Sequence, residues 1–334
     1  MKKIILSIIA SLTLGSSSVF AGSYDGIVAF GDSLSDPGNV FVATGLQSVR
    51  PFNEDNIPDA PYARGGHHFS NGSTWIEQLS SDLKLKEGTG PALRTSAFTN
   101  YAFGAARARD TGSPYDLTQQ VTQFLDSGQE ITPDTLISLY VGGNDVRDAL
   151  VAFNEAYIEA YLLTIDPSGS NVEEAEAAGE AAGTLAAEKI LTDAITSIAT
   201  NIVALASAGD SQFLVPNVPN IGVTPAVRAL GDEAAFLASL LSVQFNLGLE
   251  STLQGLELLG IQITRLNVYQ LINDVVADPG VAGLVNSADA CITPLVRKGA
   301  FCKQPDNYLF WDGIHPTRAG HAYLAAAALE ALTH

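Results

Sequence analysis

The chain has 334 residues and carries 17 Lys and Arg against 36 Asp and Glu, a formal net charge of −19. Such a surface repels phosphate backbones and anionic bilayers, so the composition argues against a nucleic-acid partner. With two cysteines, five histidines and neither a Cys-x-x-Cys nor a His-Glu-x-x-His pattern, the sequence also predicts no metal site.

The first 21 residues have the three parts of a secretory signal peptide. Lys2 and Lys3 form a basic start, an apolar stretch follows from Ile4 to Leu14, and Val19-Phe20-Ala21 is a small-x-small cleavage site. An apolar stretch of this length is shorter than the roughly 20 residues of a spanning helix, and no later run is both long and apolar enough. We therefore predict a secreted or periplasmic protein with no stable membrane span, and a single domain at 22–334.

Short apolar runs alternate with longer helical patterns along the rest of the chain. Strands are predicted at 26–31, 97–103, 135–141, 212–215 and 261–268, and helices at 74–79, 118–127, 149–208, 225–259 and 317–332. The helical pattern at 149–208 breaks at 166–170, and we interpret 149–182 as a helical insertion whose residues 172–182 form a connector. Apolar strands alternating with helices predict an α/β fold, with a parallel sheet covered on both faces.

The residues that could take part in catalysis follow the strands, at the ends where ligands bind in such sheets. Ser33 follows the first strand, and a helix beginning at Asp32 or Ser33 would give it free N–H groups. His315 is a candidate base, because Asp312 lies three residues earlier and a tight turn could bring its carboxylate to the imidazole. Each pattern also has a structural explanation, a helix cap for Ser33 and a turn hydrogen bond for Asp312.

An acyl-transfer site also needs donors for the oxyanion that forms on the substrate. The candidates are the Ser33 N–H, the Gly104 N–H after the second strand and the Asn144 side-chain amide after the third. Gly104 could equally be a turn residue and Asn144 a helix cap. Their occurrence in order at strand ends, together with Asp312 and His315, favours the catalytic explanation.

Taken together, these stretches resemble the GDSL-type esterase/lipases of the SGNH hydrolase superfamily, in the secreted plant-lipase-like and bacterial lecithinase/haemolysin-like branch. The matching blocks are Phe30-Gly31-Asp32-Ser33-Leu34-Ser35-Asp36, Asn100-Tyr101-Ala102-Phe103-Gly104, Val141-Gly142-Gly143-Asn144-Asp145 and Trp311-Asp312-Gly313-Ile314-His315-Pro316-Thr317. Two shorter matches are Phe69-Ser70-Asn71-Gly72 and Pro219-Asn220-Ile221-Gly222-Val223-Thr224-Pro225. One departure is Ala105, where many relatives have a second glycine.

The resemblance implies a three-layer α/β/α sandwich, flavodoxin-like, with roughly five parallel strands. It implies a catalytic Ser33, Asp312 and His315, an oxyanion hole of Ser33, Gly104 and Asn144, and no cofactor. The implied activity is hydrolysis of acyl esters, with a small-molecule ester or lipid as the partner. A carbohydrate O-acetyl esterase, a phospholipase or acyltransferase, and a non-catalytic binding module are the alternatives; the oligomeric state is left open.

Two further predictions concern the surroundings of this site. Export favours a disulfide between Cys291 and Cys302, which would close a short loop just before Asp312. The loop at 38–66 and the helical insertion flank the strand ends, and their apolar side chains are predicted to border the acyl pocket. These side chains are Phe41, Phe52, Tyr62, Phe153, Tyr157, Tyr161 and Leu162.

Overall fold

The structure is a computed structural model that describes residues 24–44, 67–85, 89–292 and 302–333. The predicted signal peptide and two of the predicted pocket residues, Phe52 and Tyr62, lie outside these ranges.

The main sheet contains four parallel strands that lie side by side in chain order. They are β1 (Gly26–Gly31), β2 (Thr135–Tyr140), β3 (Gln212–Pro216) and β4 (Gln262–Leu266). All six residues of β2 are buried, as expected for an inner strand covered on both faces. The strand predictions at these four places are confirmed to within two residues at each end.

The strand predicted at 97–103 is replaced by an irregular segment beside β1. The Ala29 N–H donates to the Thr99 carbonyl at 2.9 Å, and Tyr101 and Phe103 donate back to Ala29 and Gly31 at 2.7 and 3.0 Å. Only one isolated parallel bridge to β1, at Asn100, forms here. The segment therefore occupies a fifth position in the sheet without being a regular strand.

Helices cover both faces of the sheet and complete the three-layer α/β/α arrangement. The helices are α1 (Asn39–Thr44), α2 (Trp75–Asp82), α3 (Leu117–Asp126), α4 (Gly143–Thr164), α5 (Val172–Ala208), α6 (Pro225–Arg228), α7 (Asp232–Glu257), α8 (Val268–Ala277) and α9 (Arg318–Thr333). Side chains from one face of the sheet, such as Phe30 and Leu139, pack with α3, α5 and α7. Ala29 and Leu136 on the other face pack with α2, α8 and α9.

Helices α4 and α5 form a long hairpin that contains the predicted helical insertion at 149–182. Residues 172–182 were predicted to be a connector, but they are the first turns of α5, because Gly179 and Gly183 let this helix pack closely on Tyr157 and Phe153 of α4. The second half of α5 packs on the sheet through residues such as Leu191 and Ile198.

The prediction that no later segment could span a membrane is wrong for α5 by length and composition alone. Among the described residues it is the one helix that passes both criteria. Its buried residues are spread along its whole length and pack against α4, α7 and the sheet. This is the packing of a core helix.

A second, two-stranded sheet supports the C-terminal part of the site. It consists of β5 (Asn286–Ala290) and β6 (Tyr308–Phe310), which pair in parallel and have no counterpart among the predicted strands. The predicted disulfide between Cys291 and Cys302 is present, and both cysteines pack with Trp311. The disulfide thus joins the residues after β5 to the segment that leads into Asp312.

Candidate active site

Ser33 lies at the carboxyl end of β1, in a tight turn that Asp32 stabilises. The Leu34 N–H donates to Asp32 Oδ1 at 3.0 Å, and the Ser35 N–H donates to the Asp32 carbonyl at 3.1 Å. The helix considered at Asp32 or Ser33 is absent, since the next helix, α1, begins at Asn39. A turn, rather than a helix N-terminus, therefore presents the hydroxyl.

The structure brings Ser33, His315 and Asp312 into one hydrogen-bonded line. Ser33 Oγ lies 2.8 Å from His315 Nε2, and His315 Nδ1 lies 2.6 Å from Asp312 Oδ2. Because an ionised carboxylate can only accept, this arrangement assigns the ring proton to Nδ1 and leaves Nε2 to accept from the serine hydroxyl. All three residues are at least nine-tenths buried, so bulk water screens these contacts poorly.

The turn that carries His315 is held by the same carboxylate that holds its ring. Asp312 Oδ1 accepts from the Ile314 and His315 backbone N–H groups at 2.9 and 2.7 Å. The His315 carbonyl in turn accepts from the Trp311 N–H at 2.7 Å. The Phe69 ring packs against the imidazole, with ring centroids 5.1 Å apart. The imidazole of His315 is therefore fixed in both orientation and position.

Gly104, one of the three predicted oxyanion donors, has its N–H engaged elsewhere. That N–H donates to Asp36 Oδ2 at 2.8 Å, and Asp36 also accepts from the Gly38 and Asn39 N–H groups at 2.7 and 2.6 Å. Burial raises the pKa of the Asp36 carboxyl to about 6, while these backbone donors favour its charged form. The Gly104 N–H is therefore already paired with a carboxylate of the protein itself.

Gly104 is nevertheless required at its position for steric reasons. A Cβ there would lie 2.1 Å from Cζ of Phe69, the ring that packs on His315. A side chain at 104 would push Phe69 against the imidazole or out of its buried site. The glycine lets the backbone approach Phe69, the ring that packs on His315.

The next residue, Ala105, has a backbone conformation that favours glycine. Its φ is +65°, and the Ala106 N–H donates to the Phe103 carbonyl at 3.1 Å, as in a type II turn. We call residues 103–106 the donor turn. Ala105 is exposed, and among the described residues its N–H has no hydrogen-bond partner. The left-handed conformation costs an alanine about 1–2 kcal/mol.

Asn144 lies on the first turn of α4 and faces the donor turn. Its Nδ2 donates to the Ala106 carbonyl at 2.9 Å, which uses one of the two N–H groups of the amide and leaves the other. The neighbouring carboxylate, Asp145, accepts from the Ala108 N–H at 2.8 Å and from the Arg109 guanidinium at 2.7 Å. Burial raises the pKa of Asp145, and its bonds with Arg109 oppose this. Helix α4 is thereby tied to the residues that follow the donor turn.

A cavity adjoins Ser33 and His315 on the side that the donor turn does not occupy. Asp32 and Asn144 lie at its polar rim, and burial raises the pKa of the Asp32 carboxyl to about 6. An apolar part of its wall is formed by Val268 and Ile272 of α8, Phe310 of β6 and Leu324 of α9.

None of the described residues predicted to border an acyl pocket lines this cavity. Phe41 stacks on His67, with ring centroids 3.4 Å apart, and Phe153, Tyr157 and Tyr161 stack in a row along α4. Leu162 is 65% exposed near the end of the same helix. Phe41 thus lies on α1 and the other four on α4, and the cavity beside Ser33 is lined by other side chains than those predicted.

The sequence reasoning missed the polar side chains that support the site. Asp36 and Asp145 stand within the matching blocks but were assigned no role, and Gln120 was not considered. The Gln120 amide accepts from the Gly31 N–H at 2.9 Å and donates to the Gly31 carbonyl at 2.8 Å. Asp36 had one visible signal, the Pro37-Gly38 turn after it, which is typical of a carboxylate that caps backbone N–H groups.

Comparison with known proteins identifies one family over most of the chain. The model of the GDSL-like lipase/acylhydrolase family matches residues 27–328. A GDSL esterase/lipase of Arabidopsis thaliana is 24% identical over 98% of this chain and 97% of its own length. The phosphatidylcholine-sterol acyltransferase of Aeromonas hydrophila is 25% identical over 92% of this chain and 89% of its own.

Among solved structures, the extracellular lipase of Streptomyces rimosus covers 91% of this chain and 99% of its own, with 16% identity and a TM-score of 0.43. The family match extends over both ends of the site, from the strand that carries Ser33 to the helix after His315. The chain therefore belongs to the GDSL-like lipase/acylhydrolase family and is a carboxylic ester hydrolase.

Proposed function

We propose that this enzyme is a secreted serine esterase that cleaves acyl esters through an acyl-enzyme formed on Ser33. The observation that carries the proposal is the line of contacts from Ser33 Oγ to His315 Nε2, at 2.8 Å, and from His315 Nδ1 to Asp312, at 2.6 Å. A nucleophile, a base and a carboxylate that orients the base are the parts that this chemistry requires.

In the proposed reaction, Ser33 Oγ attacks the ester carbonyl as its proton moves to His315 Nε2. Asp312 stabilises the imidazolium that forms, because its carboxylate already accepts from Nδ1. The imidazolium then protonates the leaving alcohol oxygen as the carbon–oxygen bond breaks, and the acyl group remains on Ser33. A water molecule, deprotonated by His315, releases the acid and restores the serine.

We assign the oxyanion hole to the Ser33 N–H, the Ala105 N–H and the Asn144 amide. The Ala105 N–H takes the place of the Gly104 N–H, because Asp36 already accepts from Gly104. The Ser33 N–H and the Ala105 N–H have no partner among the described residues. Each such donor typically raises the rate by a factor of ~10²–10³.

The names of the relatives bear on the acyl ester that is used. One is called a phosphatidylcholine-sterol acyltransferase and another, from Vibrio parahaemolyticus, a thermolabile hemolysin. These names favour esters of lipid type over acetylated carbohydrates as substrates. An acyltransferase would use the same acyl-enzyme, with an alcohol replacing water in the second step.

The proposal is tested with a serine-to-alanine substitution at 33 and a covalent label. Ser33→Ala should abolish turnover of p-nitrophenyl butyrate while leaving the melting temperature within a few degrees, because the hydroxyl fills little core volume. A fluorophosphonate should label Ser33 in the unmodified enzyme, and peptide mass spectrometry identifies the labelled residue.

Ser35→Ala is the matched control, two residues along the same turn. Ser35 Oγ accepts from the Trp75 indole at 3.0 Å, so this variant should lose stability but keep its turnover and its label on Ser33. Absence of ester turnover in the unmodified enzyme would favour a binding module. Label on another residue, or turnover by Ser33→Ala, would refute the assignment of the nucleophile.

Export is part of the proposal and rests on the signal-like residues 1–21 together with the Cys291–Cys302 disulfide. The intact mass of the protein recovered outside the cytoplasm tests it. A chain that begins at Gly22 is expected, and one that retains Met1 would contradict export by this route.

A further inference from the structure

Part of the cavity beside Ser33 is lined by apolar side chains. We call this part the α8–α9 cavity and define it by Val268, Ile272, Phe310 and Leu324. Each of these side chains is at most 5% exposed, and all belong to the core cluster on that face of the sheet. A sugar or a charged head group placed there would lose its hydrogen bonds with water, whereas a hydrocarbon chain would lose none.

The direction of the cavity follows from the helix that forms its wall. Helix α8 begins at Val268, two residues after β4 ends, and therefore starts at the edge of the sheet where Ser33 lies. Ile272 is four residues further along, about 6 Å deeper at the usual helical rise. Together with Leu324 of α9, Ile272 is thus placed at depth rather than at the mouth.

The two parts of an ester have different fates in the proposed reaction. The acyl group stays bonded to Ser33 until water releases it, whereas the alcohol leaves as soon as the first carbon–oxygen bond breaks. A buried, apolar end suits the part that is retained, and an open side suits the part that must diffuse away. The cavity therefore matches the acyl chain rather than the alcohol.

We propose that the α8–α9 cavity binds the acyl chain, and that Ile272 and Leu324 set the longest chain accepted. This inference rests on the proposed function, because it assumes an acyl-enzyme on Ser33. The substrate class that follows is esters of unbranched acyl chains, longer than acetyl, that end against these two side chains. Their acyl part is recognised by fit to hydrocarbon.

The experiment uses two substrate series, one that varies the acyl chain and one that varies the alcohol. The first consists of p-nitrophenyl esters from acetate to decanoate, and the second of butyrate esters from ethyl to hexyl. Ile272→Phe should lower kcat/KM for butyrate and longer chains by about 10-fold or more relative to acetate, since a single methylene in such pockets is worth that much. Leu324→Ala should shift the preferred acyl chain to greater length. The ratios of kcat/KM between members of the alcohol series should stay the same in both variants.

Val275→Ala is the matched control. Val275 is fully buried on α8 in the same core cluster but does not line the cavity, so its loss should lower stability without changing the acyl-chain profile. If Ile272→Phe fails to fold, Ile272→Ala provides the second variant and should lengthen the preferred chain, as Leu324→Ala does.

The outcome separates this inference from the proposed function. Variants that keep the fluorophosphonate label on Ser33 and turn over acetate leave the serine esterase in place. If such variants show an unchanged acyl profile, or a change in the alcohol series instead, the acyl assignment of the cavity is refuted.

Discussion

The two sides of Ser33 differ in the kind of side chain that forms them. On one side, carboxylates hold the donor turn and the residues that follow it, with Asp36 accepting from Gly104 and Asp145 accepting from Ala108. On the other side, the α8–α9 cavity is closed by side chains such as Ile272 and Leu324, which pack only through hydrocarbon contacts.

The difference reflects what each side has to do. Oxyanion donors must be fixed before the charge develops, because a group that has to reorient stabilises it less. Charge-assisted hydrogen bonds from backbone N–H groups to buried carboxylates fix the direction of the backbone, and hydrocarbon packing does not. A chain-binding wall needs only the right volume, so its residues can differ while the chemistry stays the same.

The largest effect is expected from removing the Ala105 N–H itself. Lactic acid at position 105 keeps the methyl side chain and replaces the amide by an ester, which has no N–H. If this group is an oxyanion donor, kcat should fall by about 10²–10³, the usual cost of losing one donor. Single-turnover kinetics with p-nitrophenyl butyrate measures the loss in the chemical step.

Glycolic acid at position 104 is the control for that experiment. It removes the N–H that donates to Asp36, so the main loss should be in stability, by roughly 1–3 kcal/mol, because a buried carboxylate loses one of its donors. A larger loss in kcat at 104 than at 105 would reverse the assignment and restore Gly104 as the donor.

The residues around Ser33 and the donor turn could be placed near one another from the sequence, because they stand in short blocks at strand ends. The order of the strands and a three-residue turn are enough to place Ser33, Asp312 and His315 together. We propose Ala105 in place of Gly104 as a donor, because the carboxylate that accepts from the Gly104 N–H is 68 residues away along the chain. No local pattern reports such a contact.

The apolar side was predicted poorly for a related reason. Aromatic residues of the α4–α5 hairpin were chosen because they are near Asn144 in sequence, yet α4 carries them away from Ser33. The side chains that do line the cavity come from α8, β6 and α9, and two of these elements were misjudged: α8 and β6 had not been predicted. Ile272 and Leu324 look like ordinary core residues, and only tertiary packing shows that they border a cavity.

The smallest effect is expected from Ala105→Gly, which tests how the donor turn is held. Glycine adopts a φ of +65° without the strain that alanine has there, so the free energy of unfolding should rise by about 1 kcal/mol. The N–H remains, and kcat should therefore change by less than about 3-fold if buried carboxylates already fix the turn. Lys84→Gly is the matched control: Lys84 has a φ of +61° in an exposed turn, and this variant should gain similar stability with no change in rate. A large drop in kcat for Ala105→Gly alone would mean that the methyl group, rather than Asp36 and Asp145, keeps the donor aimed at the substrate.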